Sequence, residues 1–337
     1  MKILGIESSC DESSIAIVEG NRAHINLIAS QELHAYYGGV VPEFASREHM
    51  RLISSLVTDA LQKSGTDLTE ISGIAVTRGP GLMGALLVGL SFAKGLAYSL
   101  GVPLLGVNHV EGHIMVNFLD HPELQFPFLC LLVSGGHTQI VEVRDFGSYR
   151  ILGRSVDDAA GEAFDKAARI LQLPYPGGPA IDREARGGNP EFYSFPRARV
   201  KGKENHFSFS GLKTALLYLV RENGLDWARH HLADLCASYQ EAIVDMLQDT
   251  AFRLLREEGW QQLVLAGGVA ANSRLREVFS GEARRQNGRV YFPSLEYCTD
   301  NAAMIARTGA EMLKRGQTSP LSISALPNLS LETVPND

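Results

Sequence analysis

The chain has 337 residues, 45% of them hydrophobic and 20% charged, which is typical of a globular protein large enough for two lobes. The formal net charge of −7 argues against a general nucleic-acid-binding protein, so any RNA contact requires a local basic surface or a partner protein. The four cysteines are widely spaced and form no CxxC pair. This argues against a disulfide framework and a thiolate zinc site, and it favours the cytoplasm.

The first third of the chain alternates apolar strands with helices. Residues 2–6 and 14–19 predict a hairpin whose polar tip, Glu7–Ser13, offers hydroxyls, backbone N–H groups and carboxylates. The apolar run Leu82–Leu100 contains Lys94 and three glycines, so a buried helix fits it better than a membrane span. Further elements are predicted as a helix at 46–63 and strands at 71–77 and 103–107.

The rest of the chain repeats this pattern. Strands at 128–133 and 139–143 flank a second polar loop, Ser134–Thr138, and a strand at 263–266 runs into a glycine pair. Two strand–loop–strand units in one chain suggest an internal duplication. Helices are predicted at 161–171, 211–222, 231–258 and 300–313, and their alternation with strands indicates an α/β fold.

Two histidines four residues apart suggest a metal site. On a helix, His109 and His113 share one face with Cβ atoms about 6 Å apart, so two imidazoles can bind one ion. Asp300 is the strongest carboxylate candidate for a third ligand, and this ligand set suits Fe(II) or Zn(II). Val110 stands where an HExxH metalloprotease needs its glutamate base, so protease chemistry does not fit. On spacing alone, a pair that caps or packs a helix end is the commoner outcome.

Glycine pairs at strand ends suggest a site for phosphate or a nucleoside. Backbone N–H groups can approach an anion closely in the first such segment, which consists of Leu132, Val133, Ser134, Gly135 and Gly136. The second pair, Gly267 and Gly268, precedes Asn272 at a helix start, where the dipole favours phosphate or the small residues admit a purine. A plain turn and tight strand–helix packing are the alternatives.

A series of sequence blocks appears in order from residue 3 to residue 301. The blocks are ILGIESSCDE from Ile3, the run from Lys94 through His113, VSGGHT from Val133, GEAFDK from Gly161, YPGG from Tyr175, FSFSGLKT from Phe207, AGGV from Ala266 and CTDN from Cys298. Together they resemble the TsaD family of tRNA N6-adenosine threonylcarbamoyltransferases, formerly called O-sialoglycoprotein endopeptidases. The resemblance covers nearly the whole chain.

The resemblance implies an α/β fold of the actin/Hsp70/sugar-kinase type, with duplicated ribonuclease-H-like cores and a cleft between two lobes. We expect the N-terminal lobe at 1–125, with the C-terminal helix and tail, 303–337, packing back on it. The C-terminal lobe is then expected at 126–302.

The resemblance also implies an acyl transfer. The threonylcarbamoyl group of threonylcarbamoyl-adenylate moves to N6 of the adenosine 3′ of the anticodon, in tRNAs that read codons beginning with A, and AMP is released. By this likeness His109, His113 and Asp300 bind one divalent metal, with Fe(II) favoured and Zn(II) as the alternative. The adenylate would be held by Leu132–Gly136 and Asn272 together with Asp165, Gly178 and Asp182.

Two further groups of residues are candidates for contact with the RNA. Asp11 or Glu12, at the tip of the first hairpin, could orient the adenine amine or accept its proton, the alternative being a solvated turn. A basic run is a candidate for contact with tRNA phosphates, the alternative being a solvated loop, and it comprises Arg197, Arg199, Lys201 and Lys203.

The resemblance implies partner proteins, namely a TsaB-like paralogous subunit and a TsaE-like small ATPase, and no membrane. Two other functions stay open from the residues alone. One is a small-molecule kinase or carbamoyltransferase on the same fold, and the other is a nucleotide-gated scaffold. The metal site discriminates, because nucleotide kinases of this shape hold Mg²⁺ through carboxylates and water.

Overall fold

The computed structural model describes residues 1–30 and 41–332. It divides into two compact units, one formed by Met1–Leu124 with the chain from Pro293 onward, the other by Gln125–Phe292. The sequence predicts the return to the first unit at residue 303, whereas the structure places it earlier, at Pro293. The difference matters because Asp300 thereby belongs to the same unit as the two histidines. Residues 333–337 of the expected tail lie outside the described part.

Strands and helices alternate along the chain. The strands are β1 (Lys2–Glu7), β2 (Glu12–Glu19), β3 (Arg22–Ser30), β4 (Ile71–Gly79), β5 (Leu104–Asn108), β6 (Phe128–Val133), β7 (Thr138–Asp145), β8 (Ser148–Arg154), β9 (Gln262–Ala266) and β10 (Arg289–Tyr291). The helices are α1 (Pro42–Ser64), α2 (Met83–Leu100), α3 (His109–Met115), α4 (Asn117–Asp120), α5 (Ala160–Ile170), α6 (Gly177–Glu184), α7 (Ser210–Asn223), α8 (Leu225–His230), α9 (Leu232–Glu257), α10 (Ser273–Arg285), α11 (Leu295–Cys298) and α12 (Ala302–Lys314).

The first unit is built on a five-stranded sheet in the order β3-β2-β1-β4-β5. Strands β1 to β3 form an antiparallel meander, while β4 and β5 run parallel to β1. The central strand β1 is a nearly continuous apolar run in which Ile3, Leu4 and Ile6 are fully buried. That pattern is typical of a strand covered on both faces.

Helices α1 and α2 cover one face of this sheet. Leu86, Leu90 and Ala93 of α2 pack into one core cluster with Ile53 and Val57 of α1. Among the described residues, α2 is the one helix long and apolar enough to cross a membrane by length and composition. In the structure one side of it is core, as the sequence predicts.

Helix α12 covers the opposite face and lies close to the strand backbone. A Cβ atom at Gly5 of β1 would lie 2.8 Å from the backbone nitrogen of Ala306, so only glycine permits this approach. Gly309 on the helix meets the Ala75 side chain of β4 in the same way. The close approach fixes the start of α12, and therefore Asp300 just before it, relative to the sheet.

The second unit has the same topology. Its sheet runs β10-β9-β6-β7-β8, with β6 to β8 antiparallel and with β9 and β10 parallel to β6. Replacing β6 by β1, β7 by β2 and β9 by β4 reproduces the order of the first sheet. The internal duplication predicted from two strand–loop–strand units is confirmed.

Candidate metal centre and nucleotide loops

The metal candidates lie in the first unit, where β5 runs directly into α3. The Asn108 side chain caps this helix, its Oδ1 accepting hydrogen bonds from the backbone N–H groups of Val110 (2.9 Å) and Glu111 (3.4 Å). The cap begins the helix at His109, so the four-residue spacing puts His109 and His113 on one face. Asp300 lies in the turn before α12, outside the helix that the sequence predicts from residue 300.

The three side chains converge on one point. Nε2 of His109 lies 3.4 Å from Asp300 Oδ1, and Nε2 of His113 lies 3.1 Å from the same oxygen. One ligand atom from each residue lies within 4.8 Å of the other two. Ligand atoms bound to a single ion at about 2.1 Å are separated by roughly 3.0 to 3.4 Å, so the trio needs little rearrangement to hold one.

A second layer of polar groups fixes the orientation of His109. Nδ1 of its ring lies 3.0 Å from Glu7 Oε2, and the hydroxyl of Ser9 lies 3.1 Å from the same nitrogen. The Glu7 carboxylate also accepts a hydrogen bond from the Thr77 hydroxyl at 2.6 Å. Because the carboxylate only accepts, Nδ1 carries a proton, so Nε2 is the nitrogen that would bind a metal ion, the arrangement usual around bound metals.

The electrostatics show that this site attracts a cation. Burial lowers the pKa of His109, but Asp300 and Glu7 together raise it well above its usual range. Burial raises the pKa of Asp300, yet the two histidines bring it well below its ordinary value. The two carboxylates thus favour a proton on His109 at the position where a metal ion would bind. The proton and the metal ion therefore compete for this histidine.

His113 differs from His109 in its surroundings. Its Nδ1 is buried and has no hydrogen-bond partner among the described residues. Its ring stands at 88° to the His109 ring, with centroids 4.8 Å apart. The histidine pair therefore combines one ring of fixed tautomer with one whose second nitrogen is uncommitted.

The hairpin tip belongs to the same unit. Burial first, and then the charges of Asp300 and Asp11, raise the pKa of the Glu12 carboxyl to about 9. A cation at Asp300 would lower this pKa, because it cancels one of the charges that raise it.

The predicted nucleotide residues come together in the second unit, at the carboxyl ends of β6 and β9. The Ser134 loop after β6 packs on the start of α5, where a Cβ at Gly161 would lie 2.6 Å from the Ser134 carbonyl oxygen. At Gly135 and Gly136 a Cβ would meet nothing within 4 Å, so their backbone faces open space. This is where ligands usually bind in α/β sheets.

The remaining candidates form a continuous chain of contacts beside this loop. Asp165 accepts a hydrogen bond from Gly177 N at 2.7 Å, and burial raises the pKa of its carboxyl. Asp182 accepts from Ser273 N and, at 2.7 Å, from its hydroxyl, which joins α6 to the start of α10. Gly178 lies between them with open space beside its Cα.

Asn272 makes structural contacts within the unit. Its Oδ1 accepts from Leu275 N at 2.9 Å and caps α10, while its Nδ2 donates to Gln240 Oε1 at 2.7 Å. One amide hydrogen remains for a ligand. The structure therefore brings all the predicted nucleotide residues into one region, and it gives Asn272 and Asp182 a framework role as well.

Comparison with known proteins shows the family. A model described as TsaD, tRNA N6-adenosine threonylcarbamoyltransferase, matches residues 23–307. The chain belongs to this family. Relatives of that name include one from Fervidobacterium nodosum, 49% identical over 332 residues (97% of this chain, 98% of the relative), and one from Carboxydothermus hydrogenoformans, 52% identical over 331 residues (98% and 97%).

Solved structures of other proteins share the fold. Full-length HypF, described in a phosphate- and nucleotide-bound form, is 16% identical with a TM-score of 0.61, covering 94% of this chain and 47% of its own. Component A of Acidaminococcus fermentans (R)-2-hydroxyglutaryl-CoA dehydratase is 13% identical with a TM-score of 0.55, covering 91% and 96%. At these identities the likeness concerns the fold alone, and it confirms the predicted fold class.

In this TsaD family member, the residues that surround the candidate metal site are not evident from the sequence. Glu7 was part of a polar hairpin tip, but nothing in the sequence linked it to His109, which is 102 residues away. Thr77 ends an apolar strand and is equally inconspicuous. Their position in the sequence is the one feature that points to them. Each of these side chains lies at the carboxyl end of a central strand, where functional groups are often found.

Proposed function

We propose that the chain transfers the threonylcarbamoyl group of threonylcarbamoyl-adenylate to N6 of the adenosine 3′ of the anticodon, in tRNAs reading codons that begin with A. The products are N6-threonylcarbamoyladenosine in tRNA and AMP. The observation that carries the proposal is the trio of His109, His113 and Asp300, two buried histidines that face one partly exposed carboxylate, in a member of the TsaD family. The open glycine backbone of the second unit supports it, because it suits an adenylate.

The trio would hold one divalent ion, Fe(II) by preference and Zn(II) as the alternative, since two imidazoles and one carboxylate suit both. When bound, such an ion supplies Lewis acidity toward a carbonyl or phosphate oxygen. The residues of the chain provide the rest. Glu7 would accept the hydrogen on Nδ1 of His109 and so leave Nε2 to the ion, and the burial of both side chains would strengthen their charge interaction.

The acyl transfer forms one bond and breaks one bond at the carbamoyl carbon. N6 of the adenosine bonds to the carbamoyl carbon, the bond from that carbon to the phosphate oxygen breaks, and AMP leaves with the electron pair. N6 loses one proton, and we assign its acceptance or the orientation of the amine to Asp11. Glu12, the other acid of the hairpin tip, is the second candidate for this role.

Asp11→Asn tests this assignment with preformed adenylate, so that supply of the donor is not measured. The expected result is a fall in the rate of transfer of about 100-fold, the lower end of the effect of a general base. Full activity in the variant would remove Asp11 from the mechanism.

For tRNA, part of the predicted basic run supports a contact surface in the second unit. Arg199, Lys201 and Lys203 are exposed. The first two line a hollow of about 800 Å³ together with Arg253 and Arg256, although Glu204 and Asp249 also line it. Arg197, predicted with them, is instead bound to Asp245 at 2.7 Å, so its charge is already paired.

Salt dependence tests the surface. Arg199→Ala/Lys201→Ala/Lys203→Ala should weaken tRNA binding and reduce the slope of log K against log salt by roughly 2 to 3, about one for each phosphate that is no longer bound. The matched control is Lys63→Ala/Arg221→Ala/Arg289→Ala, which removes three exposed cations elsewhere. Equal slopes for the two variants would refute the surface.

The remaining proposals concern context. A TsaB-like paralogous subunit and a TsaE-like small ATPase are the proposed partners, and the cytoplasm is the proposed compartment because tRNA is the substrate. Helix α1 offers a partner exposed apolar side chains, including Met50, which is 69% exposed.

Elemental analysis combined with a transfer assay decides among the functions. Purified protein should carry about one equivalent of iron or zinc, and it should move labelled threonylcarbamoyl from adenylate to tRNA. Protein without metal and without transfer would favour a nucleotide-gated scaffold. Phosphorylation of a small molecule instead of transfer would favour a kinase of this fold.

A further inference from the structure

A buried histidine outside the metal trio contacts the hairpin tip. His49 lies in the second turn of α1 and is completely buried. Its Nε2 lies 2.9 Å from the carbonyl oxygen of Cys10, and its Nδ1 lies 2.6 Å from the hydroxyl of Ser13. The two contacts bracket Asp11 and Glu12, so one ring spans the segment that carries both tip carboxyls.

These contacts define the tautomer of the ring. A carbonyl oxygen only accepts, so Nε2 carries the hydrogen and donates to Cys10. Nδ1 then holds the lone pair and accepts from the Ser13 hydroxyl. A neutral His49 satisfies both partners, whereas an alanine there would leave the buried Ser13 hydroxyl and the part-buried Cys10 carbonyl without this partner, which is costly.

The rest of the tip is anchored from other sides. Ser9 O accepts from Leu82 N at 2.8 Å, and the Ser8 hydroxyl donates to Ala85 O, so the start of the tip is held by α2. On the far side, the Ser14 hydroxyl accepts from Ala302 N at 2.8 Å, which ties β2 to the helix that follows Asp300. Glu12 and Ser13 also pair with Ser30 and Ala29 of β3, so the sheet holds the end of the tip. Between the anchors, the His49 side chain contacts both Cys10 and Ser13.

We propose that His49 is a positioning residue for transfer: it holds the Cys10–Ser13 tip so that the Asp11 and Glu12 carboxyls face the reacting groups beside the metal trio. The inference rests on the proposed function, because it assumes that the tip takes part in the reaction. His49 itself does not touch the substrate. It acts through the backbone of the tip, and α1 is thereby coupled to the site.

His49→Phe tests this role, because it keeps a ring in the space and removes both hydrogen bonds. In full-length, metal-loaded protein assayed with preformed adenylate and tRNA, kcat should fall about 100-fold, the size expected for misplacing a reacting group by about 1 Å. KM for tRNA and for adenylate should change little. His49→Gln restores a donor toward the Cys10 carbonyl and should recover about tenfold of the lost kcat.

Ile53→Ala is the matched control. Ile53 lies one turn further on the same helix and is buried in the core cluster, and its side chain has no hydrogen-bonding group with which to hold the tip. It should lower the melting temperature at least as much as His49→Phe and leave kcat within about threefold of the wild type. Equal losses of kcat in both variants would show that His49 acts only on the stability of the fold, which would contradict the proposal. Unchanged kcat in His49→Phe would overturn the proposal directly.

A spectroscopic measurement separates this inference from the proposed function. In ¹⁵N-histidine-labelled protein, the resonance pair absent from His49→Phe should show a protonated Nε2 and an unprotonated Nδ1, and Ser13→Ala should shift its Nδ1. The opposite tautomer would contradict the anchoring even if transfer is seen. Lack of transfer by the wild type with the expected tautomer would instead refute the proposed function, and with it the catalytic role of the tip.

Discussion

The metal trio and the nucleotide loops are built on opposite principles. In the first unit the candidate site consists of charged side chains that compensate one another, namely the buried Glu7 and His109 and the partly exposed Asp300. In the second unit it consists of glycine backbone, with Gly161 allowing the Ser134 loop to pack on α5 and Gly135 left open. The two sheets share one topology, so the difference lies in the residues at the carboxyl end of each strand. The loops of the first unit present side chains that can bind a metal ion, whereas the loops of the second unit leave space for a bound molecule.

This contrast predicts different sensitivities. The metal site should respond to changes of charge that keep shape, whereas the nucleotide loops should respond to added volume that keeps charge. Single substitutions in the two units can therefore distinguish the effect of a changed charge from the effect of an added volume. Their expected effects range from loss of the metal to a small loss of stability.

The largest effect is expected from Asp300→Ala. It removes the carboxylate that both histidines face, so the variant should lose bound metal and at least about 1000-fold of transfer activity, several kcal/mol of transition-state stabilisation. Metal content and the single-turnover transfer rate measure this. Glu296→Ala, an exposed acid on the preceding helix α11, is the control and should behave as wild type. Retention of stoichiometric metal by Asp300→Ala would break the assignment of this ligand.

Glu7→Gln should act more mildly and purely through charge. The amide can still face His109, but it no longer accepts as a charged partner, and metal affinity should fall about 10- to 100-fold. Competition with a chelator of known affinity gives this number. Burial raises the pKa of the Glu7 carboxyl, but His109 lowers it more, so the pKa lies below its usual value. The side chain is therefore a carboxylate at neutral pH. An unchanged metal affinity would separate Glu7 from the metal site.

Gly161→Ala tests the opposite region by volume. The added methyl group would meet backbone atoms of Ser134 and Gly135 at 2.6 and 2.8 Å, so the loop must move. We expect a stability loss of about 1 to 3 kcal/mol and weaker binding of an adenylate analogue, with normal metal content. Gly281→Ala on α10, where a Cβ meets nothing within 4 Å, is the control. Loss of metal in Gly161→Ala would show that the two sites do not respond separately.

The smallest effect concerns the loop that leads into α7. Asp157 accepts from Phe209 N at 2.8 Å and from the hydroxyls of Ser208 and Ser210, which holds the start of that helix. Asp157→Ala should cost about 1 kcal/mol of unfolding free energy at pH 7, the usual value of a cap. Urea unfolding measures it, with the exposed Asp226→Ala as control.

The pH dependence of this loss has a definite sign. Burial raises the pKa of Asp157, but the hydrogen bonds of its three partners lower it more, so the folded pKa lies below the ordinary value of about 3.9. The carboxylate therefore stabilises the fold fully above that pH, and the contribution disappears as the pH falls through the lower, folded value. A difference between wild type and Asp157→Ala that grows in acid would contradict this assignment.

Sequence reasoning recovered the central strands and long helices because their apolar patterns are strong. It missed β3, β8 and β10, which lie at sheet edges or contain only three residues, and which carry weaker patterns. The metal trio was predictable from residue type and spacing together with the family resemblance. Glu7, Thr77 and His49 were not, because each acts through a contact with a residue far along the chain. The Arg197–Asp245 pair, which changes the basic surface, was hidden for the same reason.

The placement of Asp300 has a consequence for how the protein is made. His113 and Asp300 are 187 residues apart, with the whole second unit encoded between them. At about 5 to 20 residues per second, a ribosome needs roughly 10 to 40 s to pass from one ligand to the other. During that interval the histidines have left the ribosome without their carboxylate, and the first sheet lacks the helix that covers one of its faces. Under the proposed function, the complete ligand set for the metal therefore forms only after the second unit has been synthesised.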